Sequence, residues 1–461
     1  MSTLLIKNAT VLATMDDHRR EIREGGLFIH DGFIEQVGRS IDLPLEADEI
    51  LDLRNHLILP GLVNCHHHFY QTLTRAVPAA QNANLFNWLK TLYPIWARMN
   101  PEDIFLSTKT ALAELALSGC TTASDHLYLF PNGSSLDDEI AAAQEMGMRI
   151  HASRGSMSLG ESEGGLPPDS VVDSEEVILK DSLRLIERYH DPNPGSKVQI
   201  VLAPCSPFSV TSELMRQSAI LAREHNIHLH THLAETQDED AFCLQKFGHK
   251  PVAYMQSLDW VGEDVWFAHS VHVGKDEIQV YKTTGCGVAH CPSSNMRLAS
   301  GIAPVREYIQ AGVKLGLGVD GSASNDGSHM LAEARTAMLL ARLRAGIEGA
   351  SLSSEDAPPI LTARESLELA TRGGAAVLGR NDIGSLEPGK CADLIAIDLQ
   401  RLEFTGGLHD PVAAAIFCVP VNVDYNIVGG KFIVREGQLT TLDLGPHIER
   451  HNQAAKRLLE G

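Results

Sequence analysis

Short apolar runs broken by Asn, Asp and Gly fill the first 60 residues, in LLIKNATVLAT, GGLFIHDGFIEQVG and EILDLRNHLILPG. Their β-branched or alternating positions predict hairpin strands. Residues 384–440 repeat the style in GSLEPGKCADLIAIDLQ, AAIFCVP and DYNIVGGKFIVREGQLT. GGLFIHDGFI and GGKFIVREG each predict a β-ribbon with glycine at its turn. Neither end holds enough chain for a core of its own, since units below about 60 residues are marginal. The expectation is one small composite β-sandwich domain shared by the two ends. Residues 1–60 supply its first half, and residues 376–461 supply the second half and a terminal helix.

Between them, over residues 61–375, the texture alternates. Strand candidates are LILPGLVNCH (57–66), CTTASDH (120–126), MRIHASR (148–154), VQIVLAPC (198–205), IHLHTH (227–232), VWFAHS (265–270), GVAHC (287–291) and VKLGLGVD (313–320). Helical stretches separate most of them. PEDIFLSTKTALAELALSG places Pro101 and acidic residues in its first turn, repeats apolar positions every third or fourth residue, and stops at Gly119. Eight strands, each mostly followed by a helix, predict an α/β fold of the (β/α)8 barrel type. A doubly wound open sheet is the alternative. No GxGxxG follows any of the strands, which removes its dinucleotide-binding version.

Composition narrows the function. Apolar residues are 44% and charged residues 21% of the 461, a soluble globular mixture. With 38 basic and 59 acidic side chains the net charge is −21, which argues against a nucleic-acid partner. No stretch approaches the roughly 20 apolar residues of a membrane span. The amino terminus lacks the basic start and long apolar core of a signal peptide. The eight cysteines are scattered without a CxxC pair and read as reduced thiols, so the expected location is cytoplasmic.

Histidine changes the picture, because the chain has 21. The predicted strands end in His66 and His68, His126, Arg154, Cys205, His230 and His232, His269, His290, and finally Asp320. A lone histidine at a strand end is usually structural, but repeated ends of this kind point to a metal centre. His66 and His68 are two apart, share one face of a strand and leave His67 pointing away. His230 and His232 repeat the spacing, and Glu235 follows three residues later. Asp320 closes VKLGLGVD, where Gly316 and Gly318 permit close backbone approach. Its plain alternative is a cap on the following turn. Imidazoles plus a carboxylate suit Zn²⁺ or Fe²⁺, with three or four protein ligands and one position left for water.

In order and type, the HxH of LPGLVNCHHH, the HxxE of HTHLAE, the His of FAHS and the Asp of GLGVDGSASNDG resemble the amidohydrolase superfamily and its aromatic deaminase branch. EPGKCADLIAID is similar to that branch's carboxy-terminal β segment, so the resemblance runs over essentially the whole chain. It implies that His66, His68, His232 and Asp320 hold one divalent metal ion per subunit, zinc ahead of iron. It implies that Glu235 carries protons, that His269 polarises or orients the substrate, and that Asp320 accepts a proton as well as binding metal. Binuclear relatives add a strand-four lysine, whereas VQIVLAPCSPF has only Lys197, ahead of the strand.

The loop segments GLVNCHHHFYQTLTRAVPAAQNANLFNWL, SGCTTASDHLYLFPNG and CPSSNMRLASGIAPVR resemble the bacterial deaminases of 8-oxoguanine. That resemblance implies hydrolysis of 8-oxoguanine to urate and ammonia, with guanine, a pterin or a hydroxylated s-triazine as the alternative substrate. It also implies a homo-oligomer. Expected substrate contacts are Gln71, Arg154, Cys205 and Asn295, with Phe69, Trp88 and Tyr128 as stacking candidates. An ordinary salt bridge at the rim is the plain alternative for Arg154. The Ser293-Ser294-Asn295 turn and the Cys205-Ser206 strand end are the candidates to meet the imidazole side of the purine.

Overall fold

The computed structural model describes residues 2–349 and 360–460. The chain begins with β1 (Thr3–Ala13), β2 (Glu21–His30), β3 (Phe33–Arg39), β4 (Glu49–Asp52) and β5 (His56–Pro60). It continues through β6 (Leu62–Asn64), β7 (Cys120–Leu127), β8 (Arg149–Ser156), β9 (Val198–Pro204), β10 (His228–Leu233), β11 (Val265–His269), β12 (Gly287–His290) and β13 (Lys314–Leu317). The last strands are β14 (Leu394–Asp398), β15 (Tyr425–Val428), β16 (Lys431–Arg435) and β17 (Gln438–Leu439).

β6 to β13 close into a parallel barrel in chain order, with β13 pairing back to β6 through Leu317 and Asn64. This is the expected (β/α)8 core. β7, β8 and β9 are buried along their whole length, which is why they read as near-continuous apolar runs. The helix Pro101–Leu117 starts as its sequence predicts, with Asn100 and Asp103 forming a reciprocal cap ahead of an acidic first turn.

The two chain ends form one nine-stranded mixed sheet, in the order β17-β16-β15-β14-β5-β1-β2-β3, with β4 beside β1. β14 pairs antiparallel with β5, which joins the carboxy-terminal strands to the amino-terminal ones. Ile6, Leu12, Leu27, Ile58, Leu394 and Ile427 are among its fully buried residues. Both predicted ribbons exist. Their turns at Asp31–Gly32 and Gly429–Gly430 are left-handed at each residue (φ 47° and 84°, then 56° and 75°), as two-residue hairpins require.

The strand candidate 57–66 does not form one strand. The run 57–66 feeds β5 of the mixed sheet and then β6 of the barrel, handing over at Gly61. A side chain at Gly61 would lie 2.1 Å from Thr121 Oγ1, so only glycine lets the chain pass so close to β7.

Two contacts fix the barrel to its surroundings. Arg149 and Asp393, both buried, pair across the barrel–sheet junction at 2.7 and 3.0 Å. The terminal helix Leu444–Glu460 lies on the helix Pro101–Leu117, with His447 Nε2 2.8 Å from Thr110 Oγ1 and His451 Nε2 3.0 Å from Thr72 Oγ1. Among the described residues, no helix is long and apolar enough to cross a membrane.

Candidate active site

The carboxy-terminal rim of the barrel carries the histidines. β6 ends at Asn64, so His66 and His68 stand just past the strand rather than on it. The segment stays extended because neighbours hold its carbonyls: Asp320 N–H donates to His66 O (3.1 Å) and His126 N–H to His67 O (2.8 Å). A side chain at Gly318 would lie 2.8 Å from His66 Cβ, which confirms the close approach expected there. The alternation survives beyond the strand. The His66 and His68 ring centroids are 4.7 Å apart, while His67 turns away to Ser328 Oγ at 2.9 Å.

Hydrogen bonds on the far side of each ring dictate which nitrogen is free. His68 Nδ1 lies 2.8 Å from the His126 carbonyl and His232 Nδ1 2.6 Å from the Cys205 carbonyl. Carbonyls only accept, so both Nδ1 atoms carry the proton and both Nε2 atoms present lone pairs. His230 Nδ1 donates to Trp266 O (3.0 Å), so its Nε2 accepts from His66 Nδ1 at 2.8 Å. His66 Nε2 is left deprotonated, buried and without a hydrogen-bond partner.

These lone pairs converge. His68 Nε2 and His232 Nε2 are 3.1 Å apart, and Asp320 Oδ1 is 3.3 Å from both His66 Nε2 and His68 Nε2. Burial holds the His66 imidazole neutral, with its pKa well below the ordinary value, and lowers that of His232 to about 3. Three neutral imidazoles and a carboxylate are a fitting donor set for one divalent ion, and the unpaired, buried His66 nitrogen is explained by such an ion. Other buried trios, such as His66, His126 and His230, also lie within ligating distance of one another. In that trio His230 uses both of its nitrogens and His126 Nε2 bonds Ala203 O at 2.8 Å, so it offers no set with a carboxylate as His66, His68 and Asp320 do. β9 offers no lysine, and Lys197 Nζ donates to Gly147 O ahead of the strand. The site is mononuclear.

Two further groups stand beside this set. Glu235 is buried, accepts Ser300 Oγ–H at 3.2 Å, and has Oε2 3.6 Å from His269 Nε2. Burial raises its pKa, with His269 opposing and the Asp320 charge adding to the rise. His269 Nε2 is 3.9 Å from Asp320 Oδ2, and its Nδ1 is 2.9 Å from Asn295 Oδ1. Burial pulls the His269 pKa down, but the Glu235 and Asp320 carboxylates outweigh it and leave the pKa raised. Ala234, His269 and Asp320 all adopt left-handed backbone (φ 52°, 69° and 62°), a strain that clusters at functional sites.

The cavity above these residues encloses about 490 Å³ of non-atom space, including its mouth. The helix Leu85–Trp96 supplies one wall through Leu85, Trp88, Leu89 and Tyr93, positions that share a helical face. Gln71, Tyr128, Cys205, Ser206, Phe208, Leu298 and Ser324 complete the sides. Among the described residues, no lysine or arginine lines it.

Residues 57–433 match the sequence profile of the amidohydrolase family. The chain belongs to this family. It is 52% identical over 440 residues to the 8-oxoguanine deaminase of Pseudomonas aeruginosa, covering 95% of each chain. It is 35% identical over 461 residues to the hydroxydechloroatrazine ethylaminohydrolase of Pseudomonas sp. strain ADP, covering 96% of this chain and 93% of that one. The zinc-complexed crystal structure of atrazine chlorohydrolase from Arthrobacter aurescens superposes with a TM-score of 0.92 at 33% identity, over 98% of this chain and 100% of the other. The buried histidine–aspartate set is that of a metal-dependent hydrolase of this family.

For this amidohydrolase the structure brings together Gln71, Cys205, Glu235, His269 and the four convergent ligand candidates, but not every expected contact. Arg154 does not reach the cavity. Its guanidinium is buried over the Phe130 ring (4.1 Å) and paired with Asp181 at 2.9 Å and Asp173 at 3.6 Å, so the ordinary salt bridge is what forms. Asn295 is not on the wall either; its Oδ1 faces His269 Nδ1 at 2.9 Å. Ser294 bonds Ser324 Oγ (2.9 Å), and Phe69 packs on His67 (4.8 Å). Of the imidazole-side candidates, only Cys205 and Ser206 face the cavity. The sequence reading missed Tyr93, although LFNWLKTLYPIW repeats apolar residues at helical spacing, and it missed Glu239, one turn after Glu235.

Proposed function

We propose that this amidohydrolase deaminates a small amino-oxo heterocycle, and that its substrate is 8-oxoguanine, hydrolysed to urate and ammonia. The 52% identity to the Pseudomonas aeruginosa 8-oxoguanine deaminase, over 95% of both chains, is the observation that carries the substrate choice. A cavity whose sides, away from the carboxyls of Glu235, Glu239 and Asp320, are aromatic, aliphatic and neutral polar groups supports a flat uncharged ring.

In this reading His66, His68, His232 and Asp320 hold one divalent ion, zinc ahead of iron. When bound, the ion lowers the pKa of a coordinated water toward neutrality. Asp320 takes a proton from the attacking water, and His269, anchored on Asn295, stabilises the charge that develops beside it. Glu235, oriented by Ser300, protonates the ring nitrogen next to the carbon that bears the amine. Its raised pKa suits a group that must hold a proton before giving it up. Glu235 then takes up the hydroxyl proton of the adduct and passes it to the departing amine, ammonia leaves a ring carbonyl behind, and the proton held by Asp320 restores Glu235. Gln71, Cys205 and Ser206 read the ring edge, and Trp88 and Tyr128 pack its faces.

Deamination or hydrolysis of guanine, a pterin or a hydroxylated triazine is the second reading. It is favoured by the 35% identity to the hydroxydechloroatrazine enzyme over 96% of this chain. Ammonia release measured over 8-oxoguanine, guanine, isoxanthopterin and a hydroxylated triazine separates the two. The expected result is the highest kcat/KM on 8-oxoguanine. A pocket built for the oxidised base faces an N7–H donor where guanine offers an acceptor, and mismatches of that kind discriminate by up to about 10⁴-fold or more. Guanine or a triazine turned over faster would overturn the substrate choice.

A further inference from the structure

Among the described residues, Glu239 is the one carboxyl on the cavity wall that the reaction above does not use. It is 1% exposed and sits in the first turn of the helix Gln237–Phe247. A glutamate at that position commonly reaches back to the backbone N–H of the capping residue, here Thr236. This one reaches further. Its Oε1 accepts the N–H of Ala234 at 2.8 Å and its Oε2 the N–H of Glu235 at 3.0 Å. Neither N–H belongs to the helix, so the carboxyl serves the turn ahead of it.

That turn is the piece of backbone that aims Glu235. Ala234 is left-handed (φ 52°), a conformation a non-glycine residue keeps only where its surroundings enforce it. Glu239 grips the turn by its N–H groups. The opposite side is gripped by the loop after His269, where Val271 N–H and His272 N–H both donate to the Ala234 carbonyl at 2.9 Å. The strand ends carrying Glu235 and His269 are therefore tied through one residue. Burial pushes the Glu239 pKa up to about 8, with the two backbone N–H groups pulling against it. Among the described residues no arginine or lysine pairs with it, so what its burial secures is this turn.

We propose that Glu239 is a positioning residue, fixing the Ala234–Glu235 turn so that the Glu235 carboxyl stands against His269 and the reacting ring nitrogen. The proposal rests on Glu235 being the proton carrier. A displacement of about 1 Å in such a group can cost about 10²-fold in rate. Steady-state kinetics of Glu239→Ala and Glu239→Gln, each made alone and with Glu235→Gln, test it alongside the metal content of every variant. Glu239→Ala is expected to lower kcat about 10²-fold, with KM within about threefold and the metal retained. Glu239→Gln keeps one acceptor oxygen, folds with the isosteric side chain and should lose less, about 10-fold. With Glu235→Gln already present, Glu239→Ala should cost under about threefold, because the group it positions is gone. Losses that multiply in full, or a loss carried by KM, would overturn the proposal. Near-normal turnover in Glu235→Gln alone would instead remove the reading on which it rests.

Discussion

Glu235→Gln should lower turnover by at least about 10²-fold, the lower end of general acid–base contributions, while the variant keeps its metal and still binds a purine. The amide can accept the Ser300 hydroxyl in place of the carboxylate, so the side chain has a reason to stay where it is. What it cannot do is take up and release a proton. Glu235 also stands outside the convergent ligand set, its nearest ring nitrogen being His269 Nε2 at 3.6 Å, so its charge is not needed to hold the ion. Turnover, metal content and calorimetric titration with xanthine check the three parts separately. Loss of metal would make Glu235 a ligand, and near-normal turnover would remove it from the proton path.

Replacing a convergent imidazole should act differently. His66→Ala and His232→Ala are expected to lose most of the bound metal and to fall to background activity, whereas His67→Ala retains both. His67 bonds Ser328 and directs no nitrogen toward Asp320. His230 provides a sharper contrast, because it fixes the proton on His66 Nδ1 without presenting a lone pair of its own. His230→Ala should weaken metal affinity about 10–100-fold, the cost typical of removing a group that orients a ligand. Metal analysis of the purified variants reads all four. A requirement for two ions per chain would contradict the mononuclear site.

Much of this arrangement was legible because barrel strands are buried on both faces and therefore stand out as apolar runs. Their functional ends all lie on one rim, so the order of His66, His68, His232, His269 and Asp320 in the chain already outlines the site. Interruptions that hydrophobicity does not record were not legible. The run 57–66 serves two sheets, and the division depends on the Thr121 side chain leaving no room beside Gly61. Arg154 occupies the same kind of strand end as the ligands, yet two aspartates from later in the chain claim it. Asn295 could be seen to lie near the site but not that it faces His269 instead of the cavity. Helical spacing puts Tyr93 on one face with Leu85, Trp88 and Leu89 but does not say that this face meets the cavity, and Glu239 needed the three-dimensional path of a turn, which no spacing rule supplies.

In the proposed reaction the amine of 8-oxoguanine is exchanged for the oxygen of water. Incubating metal-loaded enzyme with 8-oxoguanine in heavy-oxygen water, and following ammonia and product mass together, tests it most directly. The expected product is urate carrying a single heavy oxygen at the carbon that lost the amine, with one ammonia released per urate formed. An unchanged base, a ring-opened product, or urate without stoichiometric ammonia would contradict it.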